Sequence, residues 1–499
     1  MWKSLFRRLL WLPIAAAASG ILVVLALPPS NVALLGWFAL VPVFLVARET
    51  RFLFGFVAGV LASLVAGYVA SHGWFYGAGS NDGDSTWTYL GCSLFGVVFA
   101  IVSGAASEMR RRSIRNLIGL SAAAVLVESL LLFVLPAPFE LSQSRTSLML
   151  ILASITGIWG IGFALWLVNL LLCEAIARSD EDHLDTIALA NESPNWVRSG
   201  QIAGSRIFRE TLRTRPGRLC VVLSFGLLMG LGNAVKLPHD NKESVIVGVV
   251  QSDATELKTL QDLSLECARH GAKLVVWPEF SGLMHVRNGN SSILRDLSRS
   301  KGMPPFVTSF RDGATPLPHN AASVFSSLGE SRRYFKRKLF ASEKQMHAPG
   351  EEPVCVATPI GLMGLNICYD SCFPSIIRDT ARLGPDIVAL PTVDPGSPNG
   401  FFAANHAAFS SIRSAEEGVS LIRADGCAYS TITDPYGSIV GQLDTRADRW
   451  AVGRIPLHGR WTIYKWAGDW FLYFCGVIVV WVLVTGRMAK TSRVVGIRE

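Results

Sequence analysis

Eight apolar stretches, each near the length of a bilayer-spanning helix, confine this chain to membrane architectures. They lie at roughly 10–28, 31–47, 52–71, 88–107, 117–136, 147–177, 219–236 and 469–486, and about 20 apolar residues cross the hydrocarbon core. The loops between them alternate in charge. Lys3, Arg7 and Arg8 precede the first stretch, Arg48 and Arg51 separate the second from the third, and Arg110, Arg111, Arg112 and Arg115 separate the fourth from the fifth. The intervening loops "PPSN" and "SHGWFYGAGSNDGDSTW" carry neither Lys nor Arg, and the loop near residue 140 carries Arg145 alone. Lys and Arg are retained on the cytoplasmic side. The basic loops, the Arg-rich 178–218 segment and the tail "RMAKTSRVVGIRE" are therefore expected inside, and residues 240–465 outside. The opening "MWKSLFRR" and its apolar core also fit a cleaved signal peptide, but removal would break the alternation, so the segment is expected to be retained.

Composition narrows the classes further. Half of the residues are hydrophobic and the mean hydropathy is positive, while the net charge of +8 follows from the cytoplasmic loops. No basic run is interleaved with stacking aromatics, so no nucleic-acid partner is expected. Nine cysteines occur without CxxC pairs or histidines at zinc spacing, and no structural metal is expected.

Residues 240–455 change character. Short β-branched runs ("SVIVGVVQ", "KLVVWPE", "PFVTSF", "SVFSSL", "LMGLNICYD", "DIVALPTV") alternate with amphipathic stretches, the pattern of a layered α/β domain. About 215 residues suffice for one substantial core. Three stretches of this domain put reactive side chains just after apolar strands: Glu279 in "VVWPE", Lys336 in "RRYFKRKLF" and Cys368 in "LNICYD". A thiol between a strand and a helix N-terminus is expected to be partly ionised. A carboxylate can take its proton, and a lysine can steady both the thiolate and the oxyanion formed when it attacks a carbonyl. Singly, each residue fits a blander role, a core thiol or a solvated charge. Cys368 and Cys372 are four residues apart, so a disulfide is also open in an oxidising compartment.

The order and local sequence of the three resemble the nitrilase (carbon–nitrogen hydrolase) superfamily, whose Glu–Lys–Cys triad sits in "WPE", Y-x-K and C-Y-[DE] motifs. Such a domain held between seven membrane helices and one resembles the apolipoprotein N-acyltransferase family. "LPPSNVALLGWFALVPVFLVARET", "FGFVAGVLASLVAGYVASHGWFYG" and "VGVVQSD" are similar to its second and third spans and to the start of its enzymatic domain. The resemblance implies a polytopic α-helical bundle of about eight spans joined to an extracytoplasmic αββα domain. It divides the chain into residues 1–239 (membrane), 240–460 (catalytic) and 461–499 (last helix and cytoplasmic tail).

It further implies Glu279 as general base, Lys336 as oxyanion stabiliser and Cys368 as acylated nucleophile, with Glu343, Tyr369 and Asp370 in support. The implied reaction moves a phospholipid acyl chain through a Cys thioester to the N-terminal amino group of diacylglyceryl-Cys apolipoproteins, at a bacterial inner membrane and without a cofactor. The implied partners are the phospholipid donor, the apolipoprotein acceptor and the lipid bilayer. A membrane-tethered amidase is the alternative. The chain departs from the family in several places: Asp370 stands where Glu is usual, "FASE" replaces a Pro-Phe-Gly-Glu stretch, and "TVDPGSP" keeps Asp394 but no tryptophan. A tryptophan expected in "SDATELKTL" is missing as well. His406, Arg413 and Glu416 match family positions in a following helix, but equally fit a charged face with internal pairs. "TDPYGSIVG" reads as a hairpin turn on Asp434, Pro435 and Gly437.

Overall fold

A computed structural model describes residues 2–48, 50–72, 96–106, 113–131, 138–189 and 243–495, apart from 254–255, 282–289, 314–316, 341–342, 395–399 and 446–447. The apolar stretch at 219–236, part of that at 88–107, and the loops at 73–95 and 190–218 lie outside the described residues.

Among them, three helices are long and apolar enough to cross a membrane: Phe52–Ser71, Ile114–Leu131 and Ile158–Ala177. Helices Trp2–Ala26 and Trp470–Val495 contribute the shorter apolar runs 11–26 and 470–485. Two expected stretches are not single helices. Residues 31–47 form a 3-10 turn, Ala33–Trp37, followed by a short helix, Val41–Arg48. Residues 147–177 are split at Gly157 into Ser147–Thr156 and the start of Ile158–Leu189. Gly157 has φ of +71°, and a Cβ there would lie 2.3 Å from the Tyr464 ring, so this break requires glycine. Small residues let the helix at 96–106 approach Phe52–Ser71: a Cβ on Gly59 would sit 2.5 Å from Ala100 Cα. In lipid, where apolar contact alone does not drive helices together, such close backbone packing does.

The strands are Ser244–Gln251 (β1), Val275–Val276 (β2), Phe306–Asp312 (β3), His319–Ser326 (β4), Gly329–Glu330 (β5), Tyr334–Phe335 (β6), Val354–Thr358 (β7), Gly361–Leu365 (β8), Ile387–Pro391 (β9), Ser420–Ala424 (β10), Thr431–Thr433 (β11), Ile439–Gln442 (β12) and Arg449–Pro456 (β13). One sheet runs β13-β1-β2-β3-β4-β5 with β6 on β4, and the other runs β12-β11-β10-β9-β8-β7. Their central strands pair in parallel and their edges antiparallel. The sheets pack face to face, β1 to β3 against β9 and β10. Helix Leu257–Arg269 covers β1 and β13, while Phe401–Glu417 and Pro374–Arg382 cover the second sheet, completing an αββα sandwich. Strands buried on both faces read as continuous apolar runs, which is why β1 and β9 were legible. The "TDPYGSIVG" hairpin forms as expected, with Gly437 N–H donating to Asp434 O at 2.9 Å and φ of +82° at Gly437.

Candidate active site

Glu279, Lys336 and Cys368 come from three separate strand ends, and the sandwich brings them together. Glu279 follows β2 and "WPE", where its N–H donates to Thr392 O across the sheets. Lys336 follows the two-residue β6, whose pairing on β4 points it inward, and it is 1% exposed. Its Nζ lies 2.9 Å from Glu279 Oε1 and 2.8 Å from Glu343 Oε2. Asn320 on β4 donates to both carboxylates, at 2.7 Å to Glu279 and 3.3 Å to Glu343. Glu343 also accepts from Phe340 N–H at 2.7 Å, which closes the turn after the lysine. One cation between two buried acids leaves a net negative cluster. Burial pushes Lys336 down, but the negative charge of Cys368 in its ionised form, with those of Glu279 and Glu343, outweighs it and holds the ammonium well above its usual range. Burial raises Glu279, and Lys336 only partly opposes it.

Cys368 lies between β8 and helix Pro374–Arg382 in a 3-10 turn, Cys368–Cys372, with φ of +48°. A β-carbon residue in that region is strained and persists only where its surroundings hold it. Asp370 does the holding: it accepts from Tyr334 OH at 2.6 Å, Ile367 N–H at 2.9 Å and Lys338 N–H at 2.9 Å. These bonds tie the Cys368 turn to the segment carrying Lys336. The Val393 peptide joins the other two members, its N–H donating to Glu279 Oε2 at 3.1 Å and its carbonyl lying 4.0 Å from Cys368 Sγ. The expected partial thiolate is not what the site holds at rest. Burial first, then the Glu279 carboxylate, push the Cys368 thiol well up, with Lys336 opposing. A short 3-10 turn supplies too little dipole to reverse this. Cys368 and Cys372 are both free thiols, which closes the disulfide alternative.

Tyr369 stands differently from the other supporting residues. Its ring meets Phe340 edge-on at 5.2 Å and Phe373 at 5.0 Å, so it builds an apolar wall beside the thiol instead of joining the polar cluster. Helix Phe401–Glu417 is not a solvated charged face; its polar residues are buried. His406 Nδ1 lies 2.7 Å from Asp394 Oδ1, and its Nε2 reaches Ser371 Oγ at 3.2 Å and Cys368 O at 3.3 Å. Arg423 pairs with Asp394 and, at 2.7 Å, with Asp425. Arg413 donates to Ser371 O at 3.0 Å and pairs with Glu416, which accepts from Ile158 N–H at 2.7 Å. Helix Phe401–Glu417 thus grips both the Cys368 turn and the first residue of an apolar helix long enough to cross a membrane.

Cys368, Asp394 and His406 place donor atoms within 4.8 Å of one another, but Asp394 is already bound to His406 and to Arg423, a poor fit to a cation. The sequence offered no pointer to Asn320 or Arg423, which meet the site only when neighbouring strands pair, β4 with β6 in one sheet and β10 with β9 in the other.

Known proteins show the same two-part order. Residues 19–171 match the apolipoprotein N-acyltransferase N-terminal domain, and residues 246–460 match the carbon-nitrogen hydrolase family. The apolipoprotein N-acyltransferase of Geobacter metallireducens is 23% identical over 95% of this chain and 95% of its own. That of Nostoc sp. is 24% identical over 66% of this chain and 74% of its own. Among solved structures, an amidase from Nesterenkonia sp. matches 44% of this chain and 93% of its own at 22% identity, with a TM-score of 0.39. Because the two domains follow each other in one chain, over the span of a full-length relative, the chain belongs to the apolipoprotein N-acyltransferase family of carbon–nitrogen hydrolase enzymes.

Proposed function

We propose that the protein acylates lipoproteins in two steps at Cys368. Glu279 takes the thiol proton as Cys368 Sγ attacks an ester carbonyl of a phospholipid. Lys336 steadies the thiolate and then the oxyanion, the ester C–O bond breaks, and the lysophospholipid alkoxide leaves with the proton from Glu279. The free α-amino group of a diacylglyceryl-Cys apolipoprotein attacks the thioester, forming an amide and returning the thiol. The observation that carries this reading is the buried Glu279–Lys336–Glu343 cluster beside a strained cysteine. A resting thiol suits the scheme, since the proton is removed only as the substrate carbonyl arrives. Phe340, Tyr369, Phe373 and Phe402 offer an apolar wall for the acyl chain. Both substrates carry chains whose transfer through water would cost about 0.8 kcal/mol per CH₂, a physical motive for membrane embedding.

The same reading takes residues 1–239 as a membrane domain of seven crossings, 240–460 as an extracytoplasmic catalytic domain and 461–499 as the returning helix and tail of a bacterial inner-membrane protein. Contacts at both ends of two helices support that orientation. Helix Ile158–Leu189 starts at Glu416 of the catalytic domain and, roughly 24 Å along at 1.5 Å per residue, its Glu174 meets Arg48 at 3.7 Å. Helix Trp470–Val495 starts with Trp470 donating to Ile155 O, and its Thr485 accepts from Arg115 at 3.1 Å. Arg48 and Arg115 thus lie at the end away from the catalytic domain, as the positive-inside rule requires.

The test is intact-protein mass spectrometry in detergent with phosphatidylethanolamine, followed by a diacylglyceryl-Cys peptide. A hydroxylamine-labile adduct on the wild type, absent from Cys368→Ala and discharged by the peptide, is expected. An adduct discharged by water at the same rate with or without the peptide would refute transfer and favour the amidase.

A further inference from the structure

A second polar site lies on the other side of helix Phe401–Glu417 from the nucleophile. His406 and Arg413 face the Cys368 turn, whereas Ala404, Ala408 and Ser411, at i, i+4 and i+7, face a cavity of about 270 Å³ between the membrane and catalytic parts. An adjoining space of about 470 Å³ shares Ser144, Arg145, Ser411 and Gln442 with it. Neither space is lined by a carboxylate, and Arg145 is the charged side chain common to both. Among the described residues Arg145 forms no ion pair; its exposed guanidinium donates through Nη2 to Gln442 Oε1 at 3.1 Å, which leaves the other donors of the fork available to a ligand. Thr431, 3% exposed, lines the cavity with a buried hydroxyl that has no hydrogen-bond partner, and a buried polar atom of that kind calls for one. Ser144, Ser411 and Tyr429 add further hydroxyls. Arg145 is also the lone basic residue of its loop, held on the side where such residues are disfavoured.

We infer that this junction cavity binds a phosphate-bearing anion, with Arg145 as its cation and the hydroxyls of Ser411, Tyr429 and Thr431 as donors. A guanidinium fork matches phosphate oxygens in pairs, and the absence of acids from the lining leaves that charge for a ligand. The phosphate is that of a phospholipid headgroup or a free ion, and the same chemistry serves both. Because a helix separates the cavity from Cys368, the inference stands apart from the acyl-transfer reading.

The experiment is calorimetric titration of the purified full-length chain in detergent with glycerophosphoethanolamine, a headgroup without acyl chains that cannot acylate Cys368, beside inorganic phosphate. Wild type is expected to bind, and Arg145→Gln to bind about tenfold more weakly, the loss of one charged hydrogen bond. Ala408→Leu, which fills the cavity and leaves the charge in place, is expected to weaken binding as well. Binding of glycerophosphoethanolamine with phosphate silent identifies a lipid headgroup site; displacement by phosphate identifies a free-anion site. No binding of either by wild type, or equal binding by a folded Arg145→Gln protein, overturns the inference.

Discussion

Replacing Asp370 with alanine tests how the nucleophile is held. Three donors lose their acceptor: the Tyr334 hydroxyl and the Ile367 and Lys338 amides, at 2.6, 2.9 and 2.9 Å. Each buried donor left unpaired costs about 1–3 kcal/mol. Tyr334 and Ile367 are fully buried and Lys338 is not, so the two buried donors set the total at roughly 2–6 kcal/mol. The φ of +48° at Cys368 stores about 1–3 kcal/mol of strain. Without Asp370 that strain is released by rotation of the turn, and the thiol leaves its place beside Lys336 and Glu279. If the relaxed turn is favoured by the stored strain, the competent fraction and the acylation rate fall about 5- to 150-fold. The assay is quenched-flow mass spectrometry of the adduct on Cys368. Tyr334→Phe removes one donor and is expected to have a smaller effect. Asp370→Asn keeps one acceptor oxygen and is expected to fall between. Burial pushes Asp370 up to about 6, so wild-type acylation should fall as the pH drops through that value, and Asp370→Asn should lose that component and keep only the fall from protonation of Glu279. If Asp370→Ala acylates at the wild-type rate with an unchanged melting temperature, the clamp does not exist.

Three other outcomes are expected. Lys336→Met leaves Glu279 and Glu343 facing each other without their cation, and breaking such a buried pair costs about 3–5 kcal/mol. Thioester formation should drop at least 100-fold, and an adduct forming within tenfold of wild type would remove Lys336 from the reaction. Glu416→Gln breaks the buried pair with Arg413 and weakens the acceptor for Ile158 N–H, so thermal stability should fall by several degrees in the same detergent, an unchanged melting curve counting against the link. Burial, then the Glu416 charge, raise Glu417 from 4.5 to about 8. Its neutral form therefore adds stability that is complete below pH 4.5 and is lost as the pH rises through 8. Glu417→Gln should be more stable than wild type at pH 8.5 and no more stable at pH 4.5, and equal melting of the two proteins at both values would refute the shift.

Much of this was legible in the chain because local pattern carries it. Apolar length and the Lys and Arg bias marked the membrane part, and β-branched runs marked β1, β3 and β9, whose side chains are buried on both sides. The motifs around Glu279, Lys336 and Cys368 marked the residues that the fold brings together, since "WPE", Y-x-K and C-Y-D are contiguous and short. What the pattern did not carry were properties of the assembled site. The state of the Cys368 thiol depends on burial and on Glu279, a residue far away in sequence, and both oppose what a helix N-terminus alone would do. Asn320 joined Glu279 and Glu343 only once β4 lay beside them. Gly157 looked like one more small residue in an apolar run until Tyr464, from the other end of the chain, occupied the space its side chain would fill. The reason is common to all three: local sequence determines periodicity, hydropathy and the residues available for chemistry, while dielectric environment, shared hydrogen bonds and close backbone approach arise only when distant segments pack.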